Sequence, residues 1–105
     1  MGTDNTILDK IKKSIHSSDP NAEAYLFGSR ARGNNRPDSD WDILILVDNK
    51  KVTNEIDDIF REKINDIELE TSQAISVFIY PKEYWKGTLK FSPLYDAVMK
   101  EGIVL

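Results

Sequence analysis

The chain has 105 residues and no cysteine, with 40% hydrophobic and 30% charged residues and a formal net charge of -4. This length holds one compact domain, so an active site must be built within a single core or completed by a partner. The lack of cysteine excludes disulfides, thiolate catalysis and sulfur-ligated zinc, and the acidic balance argues against general nucleic-acid binding, although a local basic cluster can still bind one nucleotide.

The segment "MGTDNTILDKIKK" shows no basic stretch followed by an apolar run, and no stretch is long enough to cross a bilayer. The expectation is a cytoplasmic protein without a membrane partner. Met1-Gly2 lacks the rest of a convincing acylation signal.

Ile7, Leu8, Ile11 and Ile15 recur at helical spacing, so residues 6 to 17 are predicted as an amphipathic helix with Thr6 and Asp9 in a capping-box relation and "SSDPN" as the stop. "AEAYLF" at 22 to 27 reads as a strand delivering the chain to Gly28. "WDILILV" at 41 to 47 is apolar on both faces after Asp42, which predicts a central, buried strand. Val52, Ile56, Ile59, Phe60, Ile64 and Ile67 fit a helix from Val52 to about Leu69, capped by Thr53 or Asn54. "AISVFIY" at 74 to 80 is predicted as a third strand, followed by a short helical turn after Pro81. Ser92 and Pro93 open a last helix that Gly102 stops. No repeat or interdomain linker is visible.

Chemistry concentrates in "LFGSRARGNNRPDSDWDILILVD", residues 26 to 48. In an extended strand alternate side chains share a face, so Asp40 and Asp42 point one way and Trp41 the other. Paired carboxylates suit a magnesium ion that keeps water and substrate phosphates in its remaining positions; the competing reading is an acidic turn. Gly28 lets an anion approach the main chain and Ser29 offers a hydroxyl, a phosphate seat in outline or else a simple turn. Arg30, Arg32 and Arg36 lie between the two features, where a guanidinium can hold phosphate oxygens or remain a solvated loop charge. Ser39 is placed to cap or orient Asp40. His16, late in an amphipathic helix, is set aside for catalysis; Trp41 is read as a core residue, and Tyr80, Tyr84 and Trp85 as packing residues, with a nucleobase pocket or a partner surface as the alternative.

Gly28-Ser29, ten intervening residues and then Asp40-x-Asp42, with an apolar strand on either side, resembles the signature of the nucleotidyltransferase superfamily that includes DNA polymerase beta. The short length and element order look most like its minimal nucleotidyltransferase branch, and "SVFIYPKEYW" and "SPLYDAVMKEGIVL" extend the likeness over nearly the whole chain. The resemblance implies an α+β fold, a small mixed β-sheet with helices packed mainly on one face, forming a single domain over residues 1 to 105. It also implies that Asp40 and Asp42 bind one or two magnesium ions and that Gly28 and Ser29 hold the phosphates of ATP. Arg32 matches the Gly-Ser-x-x-Arg-Gly form of the motif.

The implied reaction moves a nucleoside monophosphate, AMP from ATP, onto a hydroxyl. Such proteins are often antitoxins encoded beside a helical HEPN-type toxin, whose tyrosine can be the acceptor. Active relatives carry a third acid on the third strand, where this chain is expected to place Ser76. Serine neither ligates as a carboxylate nor accepts a proton at neutral pH. Glu68 and Glu70 are the candidate replacements, and the alternative reading is a binding module that neutralises a HEPN partner by contact.

Overall fold

The computed structural model describes residues 3–105; Met1 and Gly2, and with them the acylation reading, lie outside the described residues. The order is α1 (Thr3–Ser18), β1 (Glu23–Phe27), α2 (Ser29–Arg32), β2 (Trp41–Val47), α3 (Asn54–Thr71), β3 (Ile75–Pro81), α4 (Lys82–Lys86), α5 (Pro93–Glu101) and β4 (Ile103–Val104). Because α1 already begins at Thr3, Thr6 and Asp9 sit inside the helix and not at its cap.

The four strands form one mixed sheet in the order β3-β2-β1-β4. β1 and β2 pair antiparallel across the connection that contains α2, whereas the long α3 crossover lets β3 lie parallel to β2. Thr53 Oγ1 accepts the Ile56 amide at 3.3 Å, which decides the α3 cap in favour of Thr53. Ser92 Oγ likewise accepts the Tyr95 amide at 3.1 Å, with Pro93 in the first turn of α5.

Alternation along β2 divides the core. Trp41, Ile43, Ile45 and Val47 join Ile7, Ile11 and Ile15 of α1 and Phe60, Ile64 and Ile67 of α3 beneath one face. Leu44 and Leu46 point to the other face, where Phe27, Trp85 and Val98 form a smaller cluster under α4 and α5. The long helices thus cover one face fully and the short ones cover part of the second. Asp42, in phase with Leu44 and Leu46, emerges on that partly covered face.

All side chains from Ile43 to Val47 are buried, as expected for a central strand. Ile45 is 0% exposed, so Ile45→Ala should cost about 2–5 kcal/mol, visible as an earlier midpoint in chemical denaturation. Strand β4 was not predicted, since two residues are too few to show a period; its pairing of Val104 with Tyr25 and Ile103 with Leu26 supplies the otherwise open side of β1. Among the described residues no helix is long and apolar enough to cross a membrane.

Candidate nucleotide and metal site

Three strand ends meet where the sequence places its motif. Phe27, the last residue of β1, pairs with Asp42, and Asp42 pairs with Ser76 at the start of β3. The register puts Ser76 beside Asp42 on the same sheet face, and Ser76 Oγ donates to Asp40 Oδ2 at 3.3 Å. Asp40, Asp42 and Ser76 are therefore neighbours. Asp40 is exposed, while Asp42 and Ser76 are half-buried.

Gly28 explains how the turn and the carboxylates come together. Its φ of 80° and ψ of -160° lie in a region essentially reserved for glycine, and a Cβ built there would stand 2.2 Å from Asp42 Oδ2. The missing side chain is the space that the Asp42 carboxylate occupies. Ser29 follows at once and opens α2, a single turn in which the Gly28 carbonyl accepts the amides of Ala31 and Arg32, both at 3.1 Å. Ser29 is thereby the residue next in the chain to the glycine against which the Asp42 carboxylate packs.

Burial raises the Asp42 carboxyl above its ordinary range, and the Asp40 charge raises it further, against an opposing effect of Arg32. Two carboxylates crowded together with a hydroxyl make a hard, all-oxygen donor set. That set fits magnesium, which is held by one or two carboxylates plus water and phosphate oxygens, and does not fit a closed protein cage. Among the described residues no group of three or more acidic, histidine or cysteine side chains is assembled to hold a metal alone.

The arginines divide by role. Arg30 is turned away from phosphate duty: its Nε donates to the Ser39 carbonyl at 3.0 Å, its Nη2 to the Pro37 carbonyl at 3.1 Å and to Gln73 Oε1 at 3.2 Å, and its guanidinium lies 4.1 Å from the Trp41 ring centre. It clamps the loop that delivers Asp40. Arg32 pairs with Glu101 of α5 at 3.0 Å while acting electrostatically on Asp42. Arg36 is exposed, and its amide donates to Ser39 Oγ at 2.8 Å, so Ser39 closes a turn and does not orient Asp40.

The proposed replacements for a third acid are engaged elsewhere. Glu68 Oε2 accepts the Ile75 amide at 2.9 Å, and Glu70 pairs with Lys10. His16 Nε2 lies 3.2 Å from the Leu105 backbone oxygen, at the other end of β1 from the motif. Trp41 and Trp85 are each 1% exposed and belong to the two cores. Glu101 and Gln73 had no signal in the sequence, since each finds its arginine 69 or 43 positions away.

The nucleotidyltransferase domain family matches residues 8–104. A solved structure described as a toxin-antitoxin with AMP-PNP has a TM-score of 0.63 and 21% identity over 91% of this chain and 69% of that one. A toxin-antitoxin MntA-HpeT structure with a tyrosine-to-alanine mutation has a TM-score of 0.61 and 20% identity, covering 100% of this chain and 72% of the other. A double aspartate-to-glutamate mutant of MntA-HpeT gives 0.62 and 19%, over 91% and 69%. No curated protein gave a significant match. These likenesses establish the same fold, and the span matched by the family shows that the chain belongs to the nucleotidyltransferase domain family.

Proposed function

We propose that this protein transfers a nucleoside monophosphate, AMP from ATP, to a hydroxyl on a HEPN-type toxin. The observation that carries the reading is the packing of the Asp42 carboxylate against Gly28, with Asp40 beside it, because it sets a cation site directly against a phosphate turn. The AMP-PNP and toxin-antitoxin descriptions of the structural neighbours support both substrate and partner.

Ser29 and Arg32 hold the β and γ phosphates, and Asp40 and Asp42 hold magnesium. Magnesium held there would supply neutralisation of phosphate charge and a more acidic attacking hydroxyl. The acceptor oxygen forms a bond to the α-phosphorus while the bond from that phosphorus to the bridging oxygen breaks, releasing pyrophosphate. Ser76 cannot take the acceptor's proton at neutral pH, so it passes to water or to a base on the acceptor protein. Catalysis by this chain is then positioning and charge compensation.

Arg32 must leave Glu101 to meet a triphosphate. Glu101→Gln should strengthen ATP binding by up to about fivefold, the worth of an exposed ion pair, when measured by titration calorimetry with magnesium.

A second reading is favoured by Ser76, which stands beside Asp42 where a third carboxylate would lie: the domain neutralises its toxin by contact alone. Incubating the protein with magnesium, labelled ATP and the toxin separates the two. Label on the toxin that disappears with Asp42→Asn supports transfer. An unlabelled complex that forms equally well with both proteins supports contact.

A further inference from the structure

Beyond the carboxylates, strand β3 carries on the same sheet face a large side chain that the core does not use. On β3 the odd-numbered Ile75, Val77 and Ile79 are buried, whereas Ser76, Phe78 and Tyr80 point to the partly covered face. Tyr80 is taken up by α4, its ring stacked near Tyr84 and Trp85 at 6.0 and 6.3 Å. Phe78 stands outside that cluster and is 36% exposed. It meets Phe27 at 5.6 Å with the rings inclined at 54°, so its position is fixed from one side while about a third of its surface faces water.

A lone exposed apolar residue requires no explanation, but its place in the strand order gives this one a meaning. Gly28 and Ser29 end β1, Asp42 opens β2, and Ser76 and Phe78 lie on β3, so phosphate turn, carboxylates and aromatic ring cross the sheet in sequence. Strands are about 4.8 Å apart and two residues along β3 cover about 7 Å. A triphosphate with its terminal phosphates at Ser29 and its α-phosphorus at the carboxylates has the exposed side of Phe78 within reach of its base, one strand beyond Asp42.

We propose that Phe78 is the base-stacking platform of the nucleotide site, binding a nucleobase through its π-face and not through its hydrogen-bonding edge. This rests on the nucleotidyltransferase reading above. Stacking of this kind is tolerant of base identity, since every base has such a face. Discrimination among nucleoside triphosphates at this position is correspondingly weak.

The test compares a non-hydrolysable ATP analogue with inorganic tripolyphosphate, both with magnesium, on wild type, Phe78→Ala, Phe78→Leu and Phe78→Trp, with melting curves to verify folding. Phe78→Ala should weaken the analogue roughly 5- to 100-fold while tripolyphosphate stays within about twofold. Phe78→Leu keeps apolar contact with Phe27 and should lose the analogue similarly, whereas Phe78→Trp should retain it. Parallel loss of both ligands, or full analogue binding by Phe78→Ala or Phe78→Leu, overturns the proposal. If wild type binds neither ligand, the nucleotidyltransferase reading itself falls and takes this inference with it.

Discussion

Asp42→Asn should abolish nucleotidyl transfer and, in the same protein, raise the melting temperature of the ligand-free domain. Loss of a charge that organises the reacting phosphates is expected to lower the rate by about a hundredfold or more. The stability gain follows from the elevated Asp42 carboxyl, raised first by burial and then by Asp40. Below the ordinary carboxylate range Asp42 is protonated in both folded and unfolded chains and costs nothing. As pH rises through the interval between the unfolded and the higher folded value, the unfolded chain releases its proton first, so stability falls. Above that interval the penalty is constant. Asparagine keeps the shape without the charge, so the advantage of Asp42→Asn should appear as pH rises through this interval and persist at neutral pH. Magnesium should raise the wild-type melting temperature and leave that of Asp42→Asn nearly unchanged. Equal melting curves for both proteins at neutral pH and at acid pH would contradict the electrostatic account.

Gly28→Ala should damage both fold and site, in contrast to Gly33→Ala. Both glycines have positive φ, 80° and 79°. At Gly33 the backbone is ordinary left-handed and a Cβ meets nothing within 4 Å, so alanine should cost about 1–2 kcal/mol and leave ligand binding intact. At Gly28 the backbone region alone costs about 1–3 kcal/mol, and the new methyl must also displace the Asp42 carboxylate. Denaturation midpoints together with magnesium and ATP titrations distinguish the pair. Similar behaviour of the two variants would mean that contact between Gly28 and Asp42 does not shape the site.

Local physics made much of the fold readable. The run "WDILILV" could only be satisfied by burial on both faces, and β2 is an inner strand with α1 and α3 on one side and α4 and α5 on the other. Thr53 and Ser92 cap their helices because a short hydroxyl at those positions reaches the free amide three residues on. The two-residue spacing of Asp40 and Asp42 likewise implied a shared direction, and Ser76 Oγ bonding to Asp40 beside Asp42 agrees with it.

Where partners are far apart in the chain, the sequence was silent or misleading. Arg30 was left open between a phosphate ligand and a solvated loop charge, and the structure gives it Gln73, Trp41 and two loop carbonyls as neighbours. Glu68 and Glu70 read as spare acids until the register of β3 and the position of α1 gave them other partners. Phe78 was indistinguishable from a core residue within "AISVFIY".

By itself the sequence determined the three long strands and the main helices but not β4, that β2 is buried on both faces, and that a glycine turn and paired aspartates flank one loop, because backbone geometry and burial act over a few residues. Only the tertiary structure decided that Gly28 makes room for the Asp42 carboxylate, that Ser76 and not a glutamate stands beside it, and that Arg32 is held by Glu101. Those facts depend on strand register and on contacts between distant segments, which no local pattern of residues encodes.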